Sequence, residues 1–284
     1  MTDLTQKYET LLEIFRAQRS ALIAFSGGVD SAFALKAALD ALGTEKVLAI
    51  TAVSAAVPAR EREEAAKIAA ELGARHRFVD SNEIERPGYA ANGFDRCFHC
   101  KSELYEILKH VASREGHSFI ANGANTDDLG DHRPGQTAAG QNGVHSPLIE
   151  AGFRKADIRA LAKDAGLRIW DKPASPCLSS RIPYNSPVTV KKLNQIEAAE
   201  QALRDQGFRE FRVRHHERIA RIEVHPEEMP RFLEAETRAE IVATLRGLGF
   251  LYVSLDLGGF QSGNLNREVP DHPRATDAKR PRSR

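Results

Sequence analysis

The chain has 284 residues, 42% of them hydrophobic and 28% charged, with a formal net charge of +1. These values are ordinary for a globular protein and exclude the strong global field that gathers nucleic acid, so nucleic acid is not an expected partner. No run approaches the ~20 apolar residues of a membrane span. The polar start Met1-Thr2-Asp3-Leu4 lacks the basic and apolar segments of a secretory signal. A cytoplasmic protein without a membrane partner is expected, with one main domain and a smaller one.

Leu4, Tyr8, Leu11, Leu12 and Phe15 recur at helical spacing and predict an amphipathic helix over 4–18. The apolar run 21–25, ending in Ser-Gly-Gly, reads as a buried strand. Residues 30–42 are helical with Gly43 as a stop. A strand over 46–53 follows, then a helix over 58–72 with Pro58 in its first turn, and a short strand over 75–80. Past an irregular stretch come a helix over 101–115, a strand over 118–122 and a helix over 155–165. Strands alternating with helices imply a parallel sheet covered on both faces. The fold class expected for 1–172 is therefore α/β.

Pro173, Pro176, Pro183 and Pro187 then break the chain into a loop. A helix is expected from Thr189, a good N-cap, to Gln206. Strands over 211–216 and 218–224, a helical region over 227–246 and a strand over 250–257 complete a second, smaller α+β domain, 173–266. Residues 267–284, with six Lys/Arg and three Pro, read as a disordered tail.

Ser26-Gly27-Gly28-Val29-Asp30-Ser31 lies between a predicted strand and a predicted helix. Glycines there let backbone N–H groups approach phosphate oxygens, and the helix start adds its positive end. Ser26 and Ser31 can donate hydroxyls, and Asp30 can cap the helix or hold Mg²⁺. The loop lacks the lysine of a Walker A motif; SGGxDS is the signature of PP-loop ATP pyrophosphatases, which split ATP between the α- and β-phosphates. The alternative is a plain strand-to-helix turn. Thr51 and Ser54, and the segment Asn122-Gly123-Ala124-Asn125-Thr126-Asp127-Asp128, leave strands at the same carboxyl edge. Thr51, Gly123, Asn125 and Asp128 are candidate contacts to ribose, adenine or Mg²⁺, against an Asn/Asp-rich surface turn.

Cys97, Cys100 and Cys177 are the cysteines, and an odd number argues against a disulfide framework. Cys97-Phe98-His99-Cys100, on a loop before a helix, could be half a zinc site, a redox pair or two buried thiols. Three thiolates could instead hold a [4Fe–4S] cluster with one iron open. Cys177 is also a candidate nucleophile, with Arg181 near enough in sequence to favour thiolate. In the predicted strand 211–216, Arg212 and Arg214 share one face. An anion held between them is one reading, and a solvated face paired with Glu210 or Glu217 is the other. His215 and His216 read as structural.

SGGVDS, RCFHCK (96–101), NGANTDDLGDHRPG (122–135), DKPASPCLSSRIPY (171–184), VRHHERIARIEV (213–224) and LDLGGFQSGNLN (255–266) together resemble the LarE family of ATP-dependent sulfur transferases. The resemblance runs from about residue 10 to 266, and the PASPC-x-x-SR loop with the downstream VRHH strand is its specific part. It implies ATP and Mg²⁺ at Ser26, Gly27, Gly28, Asp30 and Ser31. It implies a small mononucleotide substrate, pyridinium-3,5-biscarboxylic acid mononucleotide, the precursor of a nickel-pincer cofactor. The substrate phosphate would meet Ser180, Arg181, Arg212 and Arg214, with Glu200 at the rim. Family members with only the PASPC cysteine give up its sulfur. Those that also carry CxxC are thought to hold a [4Fe–4S] cluster on three cysteines, here Cys97, Cys100 and Cys177. Asp30, Ser31 and Cys177 are the expected catalytic residues, and a homo-oligomer is expected. Competing readings are a PP-loop tRNA thiolase, an amide or ammonia ligase of the same superfamily, and a non-catalytic nucleotide-binding module.

Overall fold

The apolar run at 21–24 has no polar side chain to keep in water, so it sits inside a sheet. In a computed structural model, which describes residues 3–130, 134–261 and 264–265, β1 (Ala21–Ala24) runs parallel to β2 (Val47–Val53) on one side and to β4 (Phe119–Ala121) on the other. Ala21 faces Val47 and Phe119 in register. β3 (Arg75–Asp80) pairs with β2 and closes the order β3-β2-β1-β4. β3 is an edge strand, and its residues are exposed or half-buried, as charged Arg75 and Arg77 require.

Helices cover both faces of this sheet. On one face, α1 (Asp3–Arg16), α2 (Val29–Leu42) and α3 (Ala59–Glu71) pack Leu11, Phe15, Phe33, Leu35 and Ile68 against Ala21 and Ile23. After the short α4 (Pro87–Ala90), α5 (Arg96–Glu115) and α6 (Pro134–Gln141) cover the other face, setting Leu104, Leu108 and Ala138 on Leu22 and Ile50. The short α7 (Pro147–Glu150) and α8 (Lys155–Asp164) return to the first face, where Ile158 and Ala162 join its core. α5 begins five residues earlier than the sequence reading placed it, so Cys97 and Cys100 lie in its first turn and not on a preceding loop. Asp95 makes the start possible: its carbonyl receives the amides of Phe98 (2.8 Å) and His99 (3.4 Å).

The chain divides into two compact units, Met1–Tyr89 with Asp95–Pro176, and Ala90–Phe94 with Cys177–Arg284. In the second, α9 (Val190–Asp205) starts at Thr189, whose side chain accepts the amide of Lys192. β5 (Phe211–His216) and β6 (Ile219–Val224) form an antiparallel hairpin, and β7 (Tyr252–Leu255) adds in parallel to β6. Phe211, Val213, Ala220 and Ile222 face α9 and α10 (Ala235–Gly247) in one core. The expected helix over 227–246 is split: Pro230 removes an amide donor, and Pro226–Leu233 is a 3-10 segment ahead of α10.

The segment 90–94 is held inside this second unit by polar contacts. Asn92 is fully buried, and its Nδ2 donates to the carbonyls of Pro183 (2.8 Å) and Ser186 (2.9 Å). Val188 N donates to Ala90 O at 2.9 Å, and the rings of Phe94 and Tyr184 lie 4.7 Å apart. The tail expected at 267–284 lies outside the described residues, as do Asp131–Arg133 of the family-like motif. Among the described residues, no helix is long and apolar enough to cross a membrane.

Candidate active site

In the order β3-β2-β1-β4, the connections after β1 and β4 leave neighbouring strands in different directions, which opens a crevice at their carboxyl ends. Ser26–Asp30 follows β1 there, and Asn122–Asp128 follows β4. Gly27 has φ +71°, and an added Cβ would stand 2.9 Å from the Ala65 Cα of α3. Only glycine suits both the conformation and the contact. A Cβ at Gly123 would meet the Ser31 backbone N and Cα at 2.7 Å, so the two loops touch backbone to backbone. The first amides of α2 have no intrahelical acceptor and point out of its start, as an anion site requires.

The polar side chains of these loops are largely occupied in shaping them. Ser31 Oγ donates to Gly28 O (3.0 Å), accepts from Ser26 N (3.2 Å) and lies 3.1 Å from Ser26 Oγ. Ser31 is therefore a brace of the loop; Ser26, which is exposed, is the better placed hydroxyl donor. Thr51, expected as a nucleotide contact, is buried and donates to Phe25 O at 2.7 Å, with His76 Nε2 at 2.8 Å. It fixes the end of β1. Ser54 donates to Glu83 Oε1 at 2.5 Å. Asn125 Oδ1 receives the Asp127 amide (3.0 Å), and Asp128 Oδ2 receives the Asn125 amide (3.0 Å), so both side chains shape the second loop.

Asp30 differs from its neighbours. Its Oδ2 accepts from Lys155 Nζ at 2.5 Å, while its Oδ1 is buried with no partner among the described residues. A buried acceptor without a donor suits a cation, and hard carboxylate oxygen is the ligand Mg²⁺ prefers. Burial raises the Asp30 pKa; Lys155 opposes the rise, and the Asp128 carboxylate adds to it. Lys155 was not singled out in the sequence, where it is one residue of an amphipathic helix far from the loop. The only available signal was its place beside Arg154 at a helix start, the end where cations are disfavoured.

In the second unit, Cys177 precedes a 3-10 turn, Leu178–Arg181. Ser180 Oγ and Arg181 Nη1 donate to the Cys177 carbonyl at 2.8 and 3.0 Å. The guanidinium expected beside the thiol is thus committed to the Cys177 backbone. Arg181 also grips Glu200 side-on, at 2.8 and 2.9 Å, with both residues buried. Arg214 donates from Nε and Nη2 to Glu223 Oε2 at 3.0 and 2.7 Å, and from Nη1 to Ser180 O at 2.8 Å. Arg214 is thus paired with Glu223, and not with the Glu210 or Glu217 of the alternative reading. Glu223 lies opposite Arg212 in the hairpin register and was missed. A tight turn at 217–218 was the signal that would have set it there, because cross-strand neighbours of opposite charge stabilise a sheet.

Arg212 has no direct ion pair among the described residues; the Glu200 and Glu223 carboxylates act on it from further off. Its Nη1 donates to Phe211 O (2.6 Å), its guanidinium lies 5.0 Å from the Phe260 ring centre, and no carboxylate among the described residues is within ion-pair distance. Burial, then the Arg181 and Arg214 guanidiniums, push its pKa down to about 10. A cation held this way, with Arg181 and Arg214 already balanced, is complementary to an anion. His215 is buried, with Nε2 3.3 Å from Gln195 Oε1, and His216 Nε2 accepts from Arg221 Nε at 3.1 Å.

None of the three cysteines is in a disulfide. Cys97 and Cys100 are one helical turn apart in the first unit, and Cys177 opens the second. Among the described residues, no three His, Cys, Asp or Glu side chains are grouped as a metal site.

The sheet, the glycine loop and its close partner at Gly123 define a PP-loop, nucleotide-using domain, and the NAD synthase family model matches residues 6–94. The chain is 38% identical over 278 residues to the pyridinium-3,5-bisthiocarboxylic acid mononucleotide synthase of Lactiplantibacillus plantarum, covering 98% of this chain and 100% of that protein. It is also 45% identical over 264 residues to an uncharacterized protein of Synechocystis, covering 93% and 98% of the two chains. A protein of Methanocaldococcus jannaschii, also uncharacterized, is 30% identical over 168 residues, 59% of this chain and 65% of its own. The chain belongs to the LarE family of ATP-using PP-loop enzymes.

Proposed function

We propose that the protein is an ATP-dependent sulfur transferase that converts the carboxylates of pyridinium-3,5-biscarboxylic acid mononucleotide to thiocarboxylates. The observation that carries the reading is the near-complete match to a synthase of the bisthiocarboxylic product, on a chain whose Gly27 takes a positive φ against Ala65 in the loop after β1. A carboxylate oxygen is a poor leaving group, and adenylation corrects this. The substrate carboxylate attacks the α-phosphorus of ATP; the bond from that phosphorus to the oxygen bridging to the β-phosphorus breaks, and pyrophosphate leaves. A sulfur nucleophile then attacks the acyl carbon, and AMP leaves with the C–O bonding pair.

The loop amides and the start of α2 bind the polyphosphate. Asp30 would hold Mg²⁺ through its carboxylate, whose buried Oδ1 is the atom without a donor. Ser31, Thr51, Gly123, Asn125 and Asp128 keep the two loops in shape around the nucleotide. Arg212 binds the substrate phosphate, with Ser180, Arg181 and Arg214 forming its surround.

Cys97, Cys100 and Cys177 are the ligands we propose for a [4Fe–4S] cluster. Soft thiolates suit iron–sulfur, and the spacing of Cys97 and Cys100 puts two donors on one side of a helix turn. Such a cluster, held by three thiolates, would supply an iron open to sulfide. The test is anaerobic turnover with ATP, the biscarboxylate and sulfide, read by pyrophosphate release, product mass and intact protein mass. AMP, pyrophosphate and thiocarboxylate with the mass of Cys177 unchanged are expected. ADP as product overturns the adenylation, and conversion of Cys177 to dehydroalanine overturns the cluster in favour of sacrifice of that sulfur.

A further inference from the structure

The loop Ser26–Ser31 contains no lysine, and Lys36, the lysine of α2, is bound to Asp40 at 2.8 Å one turn away. A triphosphate entering this crevice would meet the carboxylates of Asp30 and Asp128 with no cation from the loop itself. The structure supplies one from 125 residues further on. Lys155 opens α8; its amide donates to Asp127 Oδ2 at 2.9 Å, which ties it to the loop after β4. Its ammonium reaches the Asp30 carboxylate across the crevice.

Two features are unexplained by a merely structural pair. A lysine at a helix start sits at the wrong end of the helix dipole, and Arg154 precedes it. Asp30, moreover, is bonded through one oxygen only, the other being buried and unpartnered. One turn further along α8, Arg159 Nε is buried without a partner while its Nη2 donates to Lys172 O at 3.3 Å, and its charge acts on Asp30. Two cations, Lys155 and Arg159, and a second carboxylate, Asp128, thus act on Asp30 beside the glycine loop and the start of α2. The pair is also partly open, with side-chain exposures of 34% for Lys155 and 24% for Asp30, so the ammonium can change partners.

We propose that Lys155 is the lysine that handles the polyphosphate in this site, held on Asp30 while the crevice is empty and passing to a β- or γ-phosphate oxygen when Mg-ATP enters. The inference rests on the nucleotide reading of the loop and adds a substrate-binding residue to it. No covalent bond changes in this exchange: Asp30 Oδ2 loses one ammonium hydrogen bond, a phosphate oxygen gains it, and the carboxylate is freed for the metal.

Titration calorimetry of the full chain with Mg-ATP and with AMP tests it. Lys155→Met is expected to weaken Mg-ATP about 10- to 100-fold and AMP less than about threefold, the range of one charge-assisted hydrogen bond to phosphates that AMP lacks. Lys155→Arg should restore most of the ATP affinity. Equal losses for both nucleotides would assign Lys155 to holding the loop and overturn the proposal, as would no loss at all. If the unaltered chain binds neither nucleotide, the reading of the loop falls and this inference with it. Asp30→Asn provides a check independent of the folding of the lysine variant. Without divalent metal, releasing the ammonium should make this variant bind ATP more tightly than the unaltered chain, and weaker or equal binding overturns the exchange.

Discussion

Arg181 and Glu200 face each other side-on in the second unit, two parallel N–H to O contacts of 2.8 and 2.9 Å sealed from water. Glu200 Oε1 also receives the amide of Val213 at 3.1 Å, so one carboxylate ties the turn after Cys177 to β5. Glu200→Ala would leave a buried guanidinium and a buried amide without partners. Its expected cost is about 3–5 kcal/mol of stability, measured by denaturant unfolding. A loss under about 1 kcal/mol would mean that water replaces the carboxylate.

Gly123→Ala tests the contact between the two loops of the first unit. The new Cβ would stand 2.7 Å from the Ser31 backbone, which cannot swing aside as a side chain can. Stability should fall by about 1–3 kcal/mol, the usual cost of overpacking. Mg-ATP binding should fall more steeply than stability, because the displaced atoms are those of the phosphate loop. Crystals or binding curves identical to those of the unaltered chain would show that the loop adapts.

Arg212 is expected to lower stability and to favour binding. Arg212→Met removes a half-desolvated cation crowded by Arg181 and Arg214, and keeps its stem over Phe260. The variant is expected to melt at a higher temperature, by on the order of 1 kcal/mol of added stability. Its affinity for the mononucleotide should fall about 10- to 100-fold. A variant that is both less stable and unaltered in binding would return Arg212 to a packing role.

Asp30 predicts the acid side of the pH profile. Burial raises its pKa above the ordinary 3.8. The folded state therefore takes up its proton before the unfolded chain does. Asp30 thus favours folding most below 3.8, and this contribution is lost as pH rises through the raised folded value. Activity runs the opposite way, because protonation removes the metal ligand. kcat/KM for ATP should fall, as pH drops, with an apparent pKa above that of a free aspartate, and the limb should vanish in Asp30→Asn. A profile flat to pH 4 would place the essential carboxylate elsewhere.

Cluster loading is read from colour and iron content. Protein purified without oxygen should be brown, and changing any one of Cys97, Cys100 or Cys177 to Ala should lower its iron. Colourless, iron-free protein that turns over many times would remove the cluster.

The glycine loop was legible because its information is local. A buried strand, two glycines and a helix start occupy consecutive residues, and Gly27 adopts the positive φ that such a turn needs. The parallel sheet was legible from the alternation of strands and helices, and the strands 211–216 and 218–224 were legible as runs, though not their pairing. What the sequence concealed was the pairing of charges. Arg212 and Arg214 look alike two residues apart, yet Glu223 on the facing strand neutralises one and not the other. Lys155 stands beside Asp30 because two connections leave adjacent strands, a relationship that no local window of sequence contains. The start of α5 was missed because Asp95-Arg96-Cys97 carries no apolar periodicity, and carbonyl contacts at Asp95 set it.

The five residues Ala90–Phe94 bear on any attempt to dissect this protein. Severing the backbone near 172 would not release two self-sufficient modules. The amino-terminal fragment would carry a pentapeptide whose Asn92, at φ 58°, has left its carbonyl acceptors behind on the other fragment. The carboxy-terminal fragment would lack the strap that binds the residues just after Cys177. A graft or chimera that exchanges the sulfur-bearing loop must therefore transplant 90–94 along with it.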